Sequence, residues 1–184
     1  MDYITTANVL LWLLLAVGFF LVFLSHWLVA ASLFPDYVRE CAGQYQRPVA
    51  VTLIGLLALV LPSALGAALL NALPAALKWI GLLFIFIPVM GGLLGTAGLA
   101  RRIGHGLPAP GDRAQPWKQV LRGGTALALT FLLPVFGQLL AIPLILSSGL
   151  GASLFTWSAR RRAQRVQQAT LPLSPALAPG PTAP

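Results

Sequence analysis

The chain has 184 residues, of which 58% are hydrophobic and only 9% charged. A soluble domain carries about a quarter charged residues, so this composition cannot coat a water-facing surface. A bilayer removes that need, and at roughly 20 residues per crossing four or five spans use most of the length and leave no room for a separate soluble enzyme domain. The formal charge of +8 comes from 12 Lys/Arg against 4 Asp/Glu. In a membrane protein that excess is expected in the loops on the cytoplasmic side rather than on a nucleic-acid surface. The single Cys41 excludes an internal disulfide and a multi-Cys metal site, and His26 and His105 are too few for a His-rich cluster.

The first apolar run covers residues 9–34, with Ser25 and His26 as its polar members. It is too long for the h-region of a signal peptide and lacks a basic n-region, so a retained membrane helix is expected. Pro35 breaks the run. In residues 36–47 a helical period puts Tyr37, Val38, Cys41, Ala42 and Tyr45 on one face. Asp36, Arg39, Glu40, Gln44, Gln46 and Arg47 fall on the other. This is the pattern of a short helix lying in the membrane interface, bracketed by Pro35 and Pro48; the alternative is a polar loop.

The second span is read at 48–70 with Pro62 inside it, and the third at 79–100 with Pro88 inside it. Prolines are tolerated in membrane helices and usually kink them. Residues 101–122 form a basic loop whose Pro108, Pro110, Gly111 and Pro116 oppose a helix through its middle. Residues 123–158 are too long for one perpendicular crossing at 1.5 Å per residue. Pro134 and Gly137 at their centre predict a turn, giving two short crossings, 118–135 and 138–158, or a re-entrant hairpin. The membrane domain is thus 1–159. Residues 160–184 hold the basic cluster Arg160, Arg161, Arg162 and Arg165, then a tail, from Ala169, whose Ala/Pro composition reads as disordered. The fold class expected is all-α: about five short transmembrane helices and one interfacial helix. A weak internal repeat pairs Ile87-Pro88-Val89-Met90-Gly91 with Leu133-Pro134-Val135-Phe136-Gly137.

No apolar run contains an Asp or Glu, and His26 is the one ionisable group inside one. That counts against an ion-coupled transporter, which needs charge at membrane depth. His26 is expected to bond at the interface or to a neighbouring helix. Ser63, Ser147 and Ser148 have no base beside them, and His105 has no paired ligand. No catalytic, cofactor-binding or metal-binding residue, and no cofactor, is expected. The small residues are more informative. Gly91 and Gly95, with Gly98 close by, and the Ser147-x-x-x-Gly151 pair predict faces where helix backbones approach closely, within the chain or between chains. Pro62, Pro88, Pro134 and Gly137 are the kink and turn candidates. Arg101, Arg102, Arg160, Arg161 and Arg162 are placed to meet anionic lipid headgroups, the partner expected besides a second copy or another membrane protein.

The order Leu33-Phe34-Pro35, amphipathic helix, Arg47-Pro48, Gly55-Leu56-Leu57, Leu61-Pro62, Gly98-Leu99-Ala100-Arg101-Arg102-Ile103, Leu133-Pro134-Val135-Phe136-Gly137 and Ser148-Gly149-Leu150-Gly151-Ala152 resembles the bacterial membrane region found after bactofilin-like, polymer-forming β-helical domains. The resemblance covers roughly residues 9–158 and does not include the β-helical domain. It implies a membrane anchor or scaffold module without catalytic residues. The expected role is a non-enzymatic scaffold or assembly protein; the alternative is a small channel or transporter using the Pro-kinked helices.

With the N-terminus outside and five crossings, the inside segments carry eleven Lys/Arg and the outside segments only Lys78. The positive-inside bias therefore predicts a cytoplasmic C-terminus in a bacterial inner membrane. A reporter enzyme that works only outside the cytoplasm, fused after Pro184, is expected to stay silent; activity from that fusion would reverse the assignment.

Overall fold

The computed structural model describes residues 6–107, 115, 117–131, 133 and 137–170, and among them there is helix and turn but no strand. Six α-helices follow in order: α1 (Thr6–Leu33), α2 (Pro35–Gln44), α3 (Pro48–Ala72), α4 (Lys78–His105), α5 (Trp117–Phe131) and α6 (Ile142–Thr170). A 3₁₀ turn at Ala75–Leu77 leads into α4, and a π-turn at Gly137–Ala141 leads into α6. Four stretches, Thr6–Leu33, Pro48–Ala72, Ala75–His105 and Leu139–Gln168, are long and apolar enough to cross a membrane. The chain is an all-α integral membrane protein.

Local chemistry explains the helix starts. Pro35 and Pro48 stand in the first turns of α2 and α3, where a missing N–H leaves no bond unmade. Hydroxyls inside apolar helices cannot turn to water, so they bond back to their own backbone. Thr52 donates to the Pro48 carbonyl at 2.8 Å, Thr125 to Leu121 at 2.8 Å and Ser148 to Ile145 at 2.9 Å.

Helix α4 is the hub, packing on α3, α5 and α6 and beneath α2. Its contacts fix the directions of its neighbours. Gly66 on α3 meets Gly81, Phe84 and Ile85, so α3 and α4 form an antiparallel hairpin. Gly104 meets Gln119 and Gly123 meets Ala100, so α5 runs back along α4. Gly92 meets Leu146 and Gly95 meets Gly149, so α6 runs parallel to α4. α3 then lies antiparallel to α6, with Gly55 against the backbone of Ser147 and Gly151.

Helix α1 leans on α5. Its Trp27 is fully buried among Ala30, Ala97, Leu127 and Phe131, over Gly124. The Trp27 indole N–H donates to Thr96 Oγ1 at 2.9 Å, the Thr96 hydroxyl donates to the Leu93 carbonyl at 2.6 Å, and His26 Nε2 lies 3.3 Å from that same carbonyl. His26 thus bonds to a neighbouring helix, as its place in the sequence led one to expect.

The amphipathic split of α2 matches the helical period: Val38, Cys41 and Tyr45 are buried while Asp36, Arg39 and Glu40 are exposed. Its apolar side, however, rests on protein. Cys41 and Ala42 lie over Gly98 of α4, and Cys41 accepts from the Thr156 hydroxyl of α6 at 3.5 Å. Amphipathic periodicity alone does not distinguish a lipid surface from an apolar protein surface.

The last apolar stretch divides into a short α5 and a long α6, and only the second is among the four stretches long and apolar enough to cross a membrane. α5 has 15 residues, about 22 Å at the helical rise, short of a ~30 Å apolar core. Phe131, at its end, packs on Phe19 and Phe23, near the middle of α1. With Leu146 opposite Gly92, the start of α6 stands near the level of Pro88. That is about 15 Å inside the start of α4. Gly137 is pressed against the Thr130 and Phe131 carbonyls, where a Cβ has no room. Pro134, the other turn candidate, lies outside the described residues. α6 then continues past residue 158 through all four arginines to Thr170. No proline interrupts it before residue 172, so Ala169 and Thr170 are helical rather than part of a tail; residues 171–184 lie outside the described ones.

A methyl group on Gly95 would collide with the backbone of Gly149, whereas one on Gly91 meets only the end of the Leu150 side chain at 3.1 Å. Gly95→Val should therefore cost about 2–3 kcal/mol by forcing α4 and α6 apart, and Gly91→Ala under about 1 kcal/mol, as read by denaturant unfolding in mixed micelles. Equal losses would contradict this register.

Candidate functional site

A cleft of about 670 Å³ lies among α3, α4 and α6. Ala58 and Pro62 form its α3 wall, and Leu83, Pro88 and Gly91 its α4 wall. Leu150, Leu154 and Trp157 line it from α6, and Tyr37 of α2 closes one end. The surface is almost wholly carbon. Two features of sequence open it. Gly91 offers no side chain, and Pro62 and Pro88 bring both helix-interior prolines to the same space. Each proline lacks the amide that would bond the carbonyl four residues earlier, at Ala58 and Phe84, which also line the cleft. At its floor the Ser153 hydroxyl donates to the Gly91 carbonyl at 2.9 Å and ties α6 to α4.

Polar groups gather at the Tyr37–Trp157 end. Arg160 makes a two-pronged ion pair with Glu40, Nε to Oε2 at 2.6 Å and an Nη to Oε1 at 3.1 Å. Its guanidinium also lies 5.5 Å from the centre of the Tyr37 ring. Arg161 stacks on Trp157 at 3.6 Å. Since the Glu40–Arg160 pair is roughly half exposed, it contributes under ~1 kcal/mol; its effect is to fix the angle of α2 against α6. Burial disfavours the charged form of three groups on and just after α2 and raises their pKa: Tyr37 is pushed up to about 12, and Cys41 and Tyr45 are also raised. All three stay neutral at physiological pH. A second, basic recess of about 270 Å³ lies between α2 and the end of α4, lined by Arg39, Arg101, Arg102 and His105.

The structure distributes the sequence candidates as follows. Gly95, Gly98, Ser147 and Gly151 are all buried in contacts within the chain: Gly95 against α6, Gly98 against α2, and Ser147 and Gly151 against α3. Gly91, Pro62 and Pro88 meet in the cleft. Arg101 is half-buried under α2, while Arg102 and Arg162 are exposed. Arg160 and Arg161 flank the cleft mouth. Tyr37 was placed on the apolar face of residues 36–47 but not as a site residue, and Trp157 was not singled out; its signal is that Leu150, Leu154, Trp157 and Arg161 recur at helical spacing on α6. Glu40 was assigned to a solvated face, and nothing local marks Arg160, 120 residues away, as its partner.

Among the described residues no three His, Cys, Asp or Glu side chains come together where they could hold a metal ion. The cleft offers apolar contact, the hydroxyls of Tyr37 and Ser153, the aromatic side chains of Tyr37, Phe84 and Trp157, and a cationic rim. That set can hold a long apolar molecule with an anionic end.

Cys41 is fully buried and its thiol is raised by burial. Maleimide should label it at least tenfold more slowly in the folded protein than after denaturation. The sign of its pH effect follows: the folded state disfavours the thiolate, so its contribution is complete below the ordinary thiol value of 9.0 and is lost as pH rises beyond it. Rapid labelling of the native protein at neutral pH would contradict the docking of α2. Comparison with protein-family models, curated proteins and solved structures finds no match to this chain.

Proposed function

We propose that the protein is a non-enzymatic membrane scaffold, packing through α1 with a second copy or another membrane protein. In this reading it sits in a bacterial inner membrane with its N-terminus outside and its arginine-rich face in the cytoplasm, where anionic headgroups meet Arg101, Arg102 and Arg160–Arg162. The observation that supports it is the state of α1. Leu10, Trp12 and Leu14 are exposed, Leu14 at 72%, and no residue of the most apolar stretch of α1 is buried. The α5–α6 hairpin ends near Phe19 and leaves that half of the helix without a neighbour from the hairpin. An uncovered helix of this kind is a ready surface for another helix. The resemblance to membrane regions that accompany polymer-forming domains points the same way.

A small channel or transporter is the second reading, favoured by the convergence of Pro62 and Pro88 on one cleft. The carbon lining counts against ions, which need charged or carbonyl ligands at membrane depth.

The test is a Leu14→Cys variant cross-linked in native membranes, with molar mass measured in nanodiscs by light scattering and companions identified by mass spectrometry. A discrete homo-oligomer or stoichiometric partner, trapped through position 14, is expected. A lone monomer with no companion, combined with solute flux in liposomes, would replace this reading by the second. Gly95 is unsuited to such a test, because its contacts lie inside the chain.

A further inference from the structure

We infer that the cleft among α3, α4 and α6 is a binding site for one anionic phospholipid, with an acyl chain along the cleft and its phosphate at Arg161. The inference rests on the membrane character of the chain and is independent of the scaffold reading, since lipid occupancy and oligomer mass are read separately.

Four observations converge on this occupant. The first is length. Gly92 lies against Leu146 in the parallel pair of α4 and α6; Leu83 stands nine residues before the one and Trp157 eleven after the other. At the helical rise these offsets sum to about 30 Å, room along the cleft for an extended acyl chain with its polar end toward Trp157. The second is volume: about 670 Å³ falls within the ~300–1,000 Å³ of small-molecule sites, and the walls are carbon.

The third is the order of chemistry along one helix face. Leu150, Leu154, Trp157 and Arg161 follow one another at spacings of four, three and four residues, which keep to one side of α6. They run from aliphatic to aromatic to cationic, in the order that a lipid presents chain, interface and phosphate. The fourth is charge complementarity. Glu40 is the carboxylate near the mouth, and Arg160 already engages it on both oxygens. Arg161 stacks on Trp157 and, among the described residues, pairs with no carboxylate. The neighbouring cations add to a positive rim. A second protein helix fits less well, because a helix is about 10 Å across and Tyr37 and Trp157 close the end where it would have to continue.

Native mass spectrometry of the full chain, released from nanodiscs containing equal parts of phosphatidylglycerol and phosphatidylcholine, tests this. One phosphatidylglycerol should remain bound per chain. Arg161→Ala, at an exposed position, should lower its retention about fivefold, while Arg165→Ala should not. Gly91→Leu, which fills the cleft, should lower retention of both lipids. Inorganic phosphate in excess should leave retention unchanged, since it lacks the chain. Equal retention of the two lipids, no change in Arg161→Ala, displacement by phosphate alone, or a second copy of the chain in place of lipid would each overturn the assignment. Should Gly91→Leu fail to fold, the Arg161→Ala and Arg165→Ala comparison still decides it.

Discussion

The architecture depends on backbone-to-backbone contact along α4. Between helices surrounded by lipid there is no hydrophobic drive to associate, because the acyl chains are as apolar as the side chains they would replace. What remains is van der Waals contact, and it is strongest where nothing stands between the backbones. α4 supplies Gly81, Gly92, Gly95, Gly98 and Gly104 to four different partners. α5 and α6 answer with Gly123 and Gly149, and α3 with Gly66. The polar links in the same region, Trp27 to Thr96 and Ser153 to Gly91, are few and buried. In the absence of water each is costly to leave unmade, so they set the register in which the smooth glycine faces meet.

The same seam explains what could be read from the sequence. Length, hydropathy and the density of small residues identify an all-α membrane protein and mark Gly95, Gly98, Ser147 and Gly151 as packing positions, since these properties belong to single helices. Which helix each small face meets is a property of the assembled bundle. A Gly-x-x-x-Gly pair within one chain is written in the same letters as one that joins two chains. The period of α2 separated its two faces correctly but did not reveal that the apolar one rests on Gly98 and Thr156. The pairing of Glu40 with Arg160 and the meeting of Pro62 with Pro88 arise from segments far apart in sequence, and no local pattern encodes them. The depth of the α5–α6 turn was left open for a similar reason. At the end of α5 Phe131 packs against Phe19 and Phe23, an aromatic contact between the first helix and the fifth that no local pattern announces.

The cleft shows how the two prolines differ from simple breakers. In water a helix-interior proline exposes an unpaired carbonyl to solvent at little penalty. At membrane depth that carbonyl must stay near protein, and both Ala58 and Phe84 lie at the cleft wall. The cleft opens beside the closest backbone approaches of these helices, which lie at Gly66 with Gly81 between α3 and α4, at Gly55 with Ser147 between α3 and α6, and at Gly95 with Gly149 between α4 and α6.

The short α5–α6 hairpin has a consequence for the bilayer itself. At the level of the α6 arginines the described residues include five long helices and the docked α2, whereas at the level of the first turns of α4 they include α1, α3 and α4 but neither α5 nor the start of α6. The described bundle is therefore broader at one end than at the other, and lipid packed around it meets unequal perimeters at the two ends.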